Sequence, residues 1–528
     1  MSAEHRQWGV NKTTRAVLGI DLGTSQLKAL IATPDGEILG RGRAAYPVIV
    51  PAKGHAETDP EDWWQAAKAA VREALGNAVS RGTEIGRGAG GRTEIVGIGV
   101  TGQMHGVVLA GADGRPRRQA ILWLDRRAAA DADFYGEFPG RLTAPLGNQP
   151  SPGMAGPILR WLTRHEPATV DGARWALQPK DWLRLRMTGE AATDPTDASG
   201  TLLFDLPENA WAGELIEALG LPEDKLPTVR EPTGIAGSLL PGSAAGLGLD
   251  PGTPVATGAA DTAAALYAVY YREGDALLTL GSGGQWVVAE PDFRPAPNTN
   301  LFRAVGGGFY RLAAAQNVGT TLDWVRNVLD VSWQHMYDTT GRPWRPDTPL
   351  FLPYLTHERW DAAATGAWAG LTLAQQRDDL LRAALEGVAF LLRARLEDLR
   401  AVGRNPESAI IGGGGTRHPA WRQLLADVLG LSLRPARTTW LSATGAAMVA
   451  ASAGRLPGGV SRDRSDDEKE TIAPADPDAA GASYRRWQIA ARMAGLSRSG
   501  DLHARRAKLK FLLSITVPRH RIIKCARD

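Results

Sequence analysis

The sequence predicts an α/β protein of two related domains, and three observations carry that prediction. Short apolar runs that read as buried strands alternate with helical segments along most of the chain. Residues 16–31 read as a strand, a Gly/Thr/Ser turn and a returning strand, with Asp21 closing the first strand and Lys28 in the second. Residues 275–289 repeat that shape around Gly281, Ser282 and Gly283, without the acid. Two such hairpins, each opening a segment of comparable size, make a repeat at domain scale. No fixed period of a few tens of residues marks a solenoid.

Bulk properties narrow the function classes. A chain of 528 residues allows two large domains or several smaller ones. Its formal net charge of +3 is close to neutral for that length, so charge makes no case for nucleic acid or a membrane as partner. The one cysteine, Cys525, excludes a disulfide framework and suits a reducing cytoplasm. Residues 1–15 are polar and mixed in charge, unlike a signal peptide. The apolar, small-residue stretch 443–453 is too short to span a bilayer.

Taken in order, the first hairpin tip offers backbone N–H groups and hydroxyls to a phosphate, and a carboxylate able to hold a cation through water. An ordinary β-hairpin is the alternative. A third strand over 37–43 follows the Asp35-Gly36 turn, and Thr58-Asp59-Pro60 with Glu61 and Asp62 starts a helix running to Leu75. Residues 82–92 form a Gly-rich loop. A strand at 95–100 runs into Thr101-Gly-Gln-Met-His-Gly106. That places Gln103, Met104 and His105 at a strand's carboxyl end, where open α/β sheets bind ligands; a structural loop histidine is the alternative. After a strand at 107–110, another apolar strand ends at Trp123 and Asp125, an aromatic plate beside an acid, suited to a polyol. Core packing for Trp123 and a salt bridge for Asp125 are the alternatives.

Residues 177–190 read as a helix with a glycine stop, and 193–200 as a loop of capping and turn residues. The Gly/Ala/Pro-rich stretch 240–252 resembles a domain boundary. Beyond it a strand breaks at Gly258 and sets Asp261 at the start of an Ala-rich helix, either as an N-terminal cap or as a base facing a cleft. Helices follow at 322–329, 378–402 and 421–429. A strand at 408–411 ends in four glycines that let a flat ligand or phosphate approach the backbone. A small-residue helix at 444–451 suits tight packing. The expected division is a flexible segment 1–14, domains 15–253 and 254–455, and a charged, partly disordered tail 456–528 with a basic end and an apolar island at 511–517.

Several motifs fall in one order between residues 17 and 453: Gly19-Ile-Asp-Leu-Gly-Thr-Ser25, Gly102-Gln-Met-His-Gly106, Ile121-Leu-Trp123 with Asp125 and Arg127, and Pro179-Lys-Asp181 with Leu183-Arg-Leu185. Gly258 to Asp261, Leu278-Thr-Leu-Gly-Ser282, Leu385-Glu-Gly-Val388, Gly412-Gly-Gly-Gly415 and Trp421-Arg-Gln-Leu-Leu-Ala-Asp427 complete the set. Together they resemble the FGGY family of carbohydrate kinases and, through the Met104-His105 pair, its xylulokinase branch. The resemblance implies two actin-like (ribonuclease-H-like) domains with ATP and a sugar in the cleft between them. It also implies Mg²⁺ as cofactor, a cytoplasmic location, a homodimer as an admissible assembly, and phosphorylation of D-xylulose to D-xylulose 5-phosphate in pentose catabolism.

By the same resemblance Asp261 is the catalytic base and touches the sugar, together with Gln103, Met104, His105 and Trp123. Asp21, Gly23, Thr24, Ser25 and Lys28 fall in a first phosphate loop, with Asp21 organising Mg²⁺. Gly281, Ser282 and Gly283 fall in a second loop, and Gly413 and Gly414 in an adenosine motif. Three departures bear on the sugar and on the second loop. Thr356-His-Glu-Arg-Trp-Asp361 replaces the branch's usual Gly-Glu-Arg-Thr-Pro, Leu124 stands where a polar residue is common, and Gly283-Gly284 follows Ser282. A kinase for another ketose or polyol is the alternative within the class. Outside it stand a non-catalytic sugar-sensing relative, which need not keep both Asp21 and Asp261, and an actin-like or chaperone-type ATPase, which has no use for Gln103, Met104, His105 and Trp123.

Overall fold

The computed structural model describes residues 14–80, 93–269, 274–356, 358, 365–454, 456 and 471–496. Its first sheet starts from the opening hairpin. Strands β1 (Thr14–Leu22), β2 (Gln26–Ala32) and β3 (Ile38–Ala45) run antiparallel in sequence, with Asp21 opposite Lys28 at the tip. Helix α1 (Pro60–Ser80) leads to β4 (Thr93–Gly102), which lies parallel to β1. Strands β5 (Ile235–Ser238), β6 (Pro254–Ala256) and β7 (Ala259–Ala260) complete the sheet in the order β5-β6-β4-β1-β2-β3, with β7 also on β4.

The apolar run of β1 is buried on both faces, which is why it is continuous rather than alternating. Leu18 and Ile20 pack with Trp63, Ala67, Ala70 and Val71 of α1. Val17 and Gly19 face the opposite way, where Gly19 meets the backbone of Ala443 so closely that a Cβ would lie 2.1 Å from its carbonyl oxygen. That small-residue stretch is a helix of 13 residues, Leu441–Ala453, far short of a membrane span.

The second sheet repeats the plan. Its hairpin strands β8 (Asp275–Leu280) and β9 (Gly284–Glu290) are antiparallel, and β8 lies parallel to a strand that arrives much later. With β10 (Asn300–Arg303), β11 (Phe309–Ala315), β12 (Ser408–Gly412) and β13 (Ser432–Pro435), the order is β10-β11-β9-β8-β12-β13. The core shared by the two bodies joins Val17 and Leu30 of the first sheet to Leu277, Val287 and Ile410 of the second through Ala263, Ala264, Ala443 and Ala447. The domain-scale repeat is thus present as two sheets in which the first hairpin strand, β1 or β8, lies between an antiparallel and a parallel neighbour.

Four expectations need correction. The sheet does not change at 253: β6 and β7 pair with β4, so residues 254–260 belong to the first body. The Gly/Ala/Pro stretch that resembles a domain boundary is instead a short helix, Pro241–Leu247, ended by left-handed Gly248. Only Ala120–Ile121 is strand in the segment expected to run to Asp125. The region from 456 is not all tail. Pro477–Leu496 is a helix whose Ala480, Tyr484 and Trp487 enter the core of the second body, and the Trp487 indole donates to the Phe351 carbonyl at 2.8 Å. Mean charge hides that apolar face. The loop at 82–92, the first thirteen residues and the basic end with its apolar island lie outside the described residues.

Candidate active site

The turn after β1 is where the sheet delivers polar groups. Lys28 Nζ lies 3.4 Å from Asp21 Oδ2. The Tyr46 hydroxyl donates to the Gly23 carbonyl, and burial first, then the Asp21 charge, pushes its pKa well up. Gln103 caps the adjoining strand β4: its N–H donates to Leu22 O at 2.9 Å and its side-chain amide to Gly23 O at 3.4 Å. The Trp123 indole donates to Thr24 Oγ1 at 3.0 Å, so the aromatic plate is tied to the hairpin tip. Ser25 is exposed at that tip.

Asp125 is not available to a polyol. Its carboxylate is buried and taken up by the Ala56 N–H at 2.7 Å and by Arg127 Nη2 at 2.8 Å. The salt-bridge alternative is the one the structure shows.

His105 sits at φ 76°, a left-handed conformation unusual outside glycine. Two bonds hold it there: its N–H donates to Gln178 Oε1 at 3.0 Å, and its Nδ1 lies 2.7 Å from Gly200 O. Met104 Sδ is 3.8 Å from the hydroxyl of Tyr310 on β11, and the His105 ring lies 6.0 Å from that of Phe302 on β10. The second body therefore closes one side of the Met-His turn.

Asp261 opens the helix Asp261–Ala268 directly after β7. Its Oδ1 accepts from Thr262 N at 2.6 Å, and the Thr262 hydroxyl is 3.2 Å from both Asp261 Oδ1 and Gln285 Oε1 of the second hairpin. A carboxylate in the first turn of a helix is normally favoured as the anion. Here burial, followed by the negative charge of Asp21, outweighs the Thr262 donors and Lys28 and raises its pKa to about 7. Tyr310 is raised as well, mainly by burial and then by Asp261. Asp21, Lys28, Asp261, Met104, Tyr310 and Gln285 therefore share one electrostatic neighbourhood across the two bodies.

The second hairpin tip is built for close approach. Gly281 N donates to Gly283 O at 2.8 Å, and Thr320 N to Ser282 O at 3.1 Å. Thr320 belongs to the helix Gly319–Val328, whose first glycine would place a Cβ 2.1 Å from Gly281 O. Gly413, at φ 93°, leans on the same strand end: a Cβ there would lie 2.3 Å from Leu280 O, whereas Gly414 has open space. Gly281 to Gly283 and Gly413 to Gly414 thus form one backbone-lined surface. Of the 356–361 segment, Thr356 and Glu358 are described; Glu358 is buried and accepts from Gln316 N at 3.0 Å and Asn317 N at 2.9 Å. His357, Arg359, Trp360 and Asp361 lie outside the described residues.

Sequence reasoning missed Tyr46, Gln178, Gln285, Tyr310 and Glu358. Only Gln285, one residue past the glycine tip, carries a local signal; the others reach the site by tertiary pairing.

Two sheets of like topology, each with a glycine-bearing hairpin tip, and an acid linked through Thr262 to Gln285 of the second hairpin, make a two-domain architecture of the actin-like class. Family models sharpen this. The N-terminal domain of the FGGY family of carbohydrate kinases matches residues 16–268 and the C-terminal domain matches residues 276–454. The chain belongs to the FGGY family and is a carbohydrate kinase. It is 33% identical over 431 residues to a xylulose kinase of Escherichia coli, covering 79% of this chain and 85% of that one. A crystal structure of a xyloylose kinase from Brucella ovis superposes with a TM-score of 0.78 at 30% identity, covering 90% of this chain and 98% of that one. A gluconate kinase from Lactobacillus acidophilus superposes equally well, TM-score 0.79 at 22% identity over 92% and 99% of the two chains. The backbone alone does not choose the sugar.

Proposed function

We propose that the chain transfers the γ-phosphoryl group of ATP to the terminal hydroxyl of D-xylulose, with Asp261 as the base. The observation that carries this reading is the carboxylate of Asp261, held near pKa 7 between the Asp21 hairpin and the Gln285 hairpin. A base poised near the working pH balances availability against proton affinity. The hydroxyl oxygen attacks phosphorus, the bond from phosphorus to the ADP oxygen breaks, and the hydroxyl proton passes to Asp261. Met104, His105 and Trp123 are assigned to the sugar, with Gln103 holding the turn that presents them. The backbone N–H groups of Gly23 to Ser25 and Gly281 to Gly283 are assigned to the phosphates, with Lys28 adding positive charge. Gly413 and Gly414 are assigned to the adenosine.

Mg²⁺, when bound with ATP, neutralises phosphate charge. Among the described residues no group of three or more His, Cys, Asp or Glu is gathered for a metal. An ion that takes most of its ligands from phosphates and water needs only one or two carboxylates. Asp21, with Asp261 close enough to feel its charge, fits that need. The reaction is assigned to the cytoplasm, which agrees with the single cysteine; no described helix is long and apolar enough to cross a membrane.

D-Xylulose is favoured over other sugars by the Met104-His105 pair and by the xylulose kinase relatives. Leu124, 44% exposed beside Trp123, keeps another ketose or a polyol as the second reading. Coupled ATP-consumption assays over D-xylulose, other ketoses, pentitols and glycerol separate them. D-Xylulose is expected to give the highest kcat/KM. A different best substrate retains the class and removes the sugar assignment, and no sugar-dependent turnover removes both.

A further inference from the structure

Pro179-Lys-Asp181 and the arginine that follows have no place in the reaction as written, yet they build the most deeply buried charge cluster among the described residues. The helix Pro179–Thr188 carries Lys180, Asp181 and Arg184, all without solvent access. Lys180 Nζ lies 2.5 Å from Asp181 Oδ1, 2.8 Å from Asp194 Oδ1 and 3.3 Å from Asp197 Oδ2. Such clusters are poor sources of stability, because desolvation offsets much of the ion pairing. What this one does is fix directions.

Its outward bonds converge on the turn that delivers Asp261. Arg184 Nη1, held by Asp181 at 3.0 Å, donates to Thr257 O at 2.6 Å. Asp194 caps the short helix Pro195–Ala198 by accepting from Thr196 N at 2.8 Å, and it also accepts the Thr196 hydroxyl proton. With that proton committed, the hydroxyl oxygen presents a lone pair, and it accepts from Ala260 N at 2.8 Å. From the other side Thr101 Oγ1 donates to Ala259 O at 2.6 Å. Between these anchors Gly258 turns at φ 92°, with any Cβ only 2.0 Å from Val100 O. The residue before Asp261 is thus bonded to a side chain whose orientation the buried cluster dictates.

We propose that Thr196 is a positioning residue: oriented by the Lys180–Asp194 pair, it holds Ala260 so that the Asp261 carboxylate faces the acceptor hydroxyl. This rests on Asp261 being the base, and small misplacements of a reacting group are costly, reaching about 100-fold for 1 Å. Thr196→Val keeps the branched volume and removes the lone pair. Its kcat is expected to fall about 10- to 100-fold, with KM for sugar and for ATP within about threefold. Thr196→Ser is expected to restore kcat to within about threefold, because it keeps the hydroxyl.

A Thr196→Val enzyme that is folded by circular dichroism and keeps wild-type kcat overturns the proposal. A loss that Thr196→Ser does not restore also overturns it, since the effect is then packing. Should Thr196→Val not be recovered folded, Thr101→Val loosens the same turn through Ala259 and is expected to lower kcat without raising either KM; unchanged kcat there counts against the proposal. Asp261→Asn, assayed alongside, separates the two levels. If it retains turnover the base assignment itself is wrong, whereas an inactive Asp261→Asn beside a fully active Thr196→Val removes only the positioning role.

Discussion

The two hairpin tips share a topology and differ in what holds them. The first is held by side chains: Trp123 on Thr24, Tyr46 and Gln103 on the Gly23 carbonyl, and Lys28 on Asp21. The second is held through its main chain, Gly281 N–H bonded to Gly283 O and Ser282 O accepting from the N–H and hydroxyl of Thr320 on the helix Gly319–Val328, while Gly281 and Ser282 themselves stay exposed. The same strand–turn–strand plan thus yields one tip bonded to Trp123 and Gln103, which the proposed reaction assigns to the sugar side, and one that offers little beyond N–H groups. Substitutions at the first should therefore disturb chemistry and sugar use together, and substitutions at the second should be felt by ATP alone.

The largest effect is expected at Asp21. Asp21→Asn removes the charge assigned to the metal and should lower kcat by about 10² to 10³. Because Asp21 also raises the pKa of Asp261, the residual activity should rise to its plateau at a lower pH than in wild type. A pH–rate profile with an unmoved acid limb would disconnect the two carboxylates. Next comes Trp123→Phe, which keeps a ring for the sugar and removes the bond to Thr24. One hydrogen bond of about 1 kcal/mol corresponds to roughly a fivefold loss. That loss should appear in kcat/KM for both substrates; a loss for the sugar alone would show that the tip is not wired through Trp123. Ser282→Ala should change KM for ATP by no more than about threefold, as a single exposed hydroxyl permits, and leave sugar kinetics untouched.

A separate effect falls on stability, and its sign follows from linkage. A carboxyl whose folded pKa is raised to about 7 from 3.8 binds its proton more tightly in the folded state. Stability therefore falls as pH rises between those values, and the full penalty is present above about pH 7. Asp261→Asn should melt above wild type at pH 8, and the difference should shrink toward pH 4. A variant equally stable or less stable at pH 8 contradicts the buried-charge account.

Local pattern carried much of this architecture. The apolar run of β1 with its Gly/Thr/Ser turn, the glycine stop at Gly189 and the break at Gly258 all lie within a few residues of what they determine, and each is legible in the chain. The domain border was not, because pairing of residues 254–260 with β4 depends on a distant partner, as in Ala259 opposite Thr101, 158 residues away. The helix Pro477–Leu496 was hidden for a similar reason: Tyr484 and Trp487 are spaced for one face, but charge around them masks it until the second body supplies the core. In the site, Asp21 and Asp261 are visible as acids at strand and helix ends. Their mutual influence arises only when β1 and β7 flank β4 in the folded first sheet, and the contact of Tyr310 with Met104 only when the two sheets meet.

In the proposed reaction Asp261 takes the proton of the sugar hydroxyl. The most direct test is sugar-dependent ADP formation by Asp261→Asn at pH 8 with saturating ATP, Mg²⁺ and D-xylulose, with D-xylulose binding to the same variant checked by calorimetry. Binding is expected to persist and turnover to fall by about 10² to 10⁴, the range of a lost general base. Turnover within a few-fold of wild type, with binding intact, would place the base elsewhere.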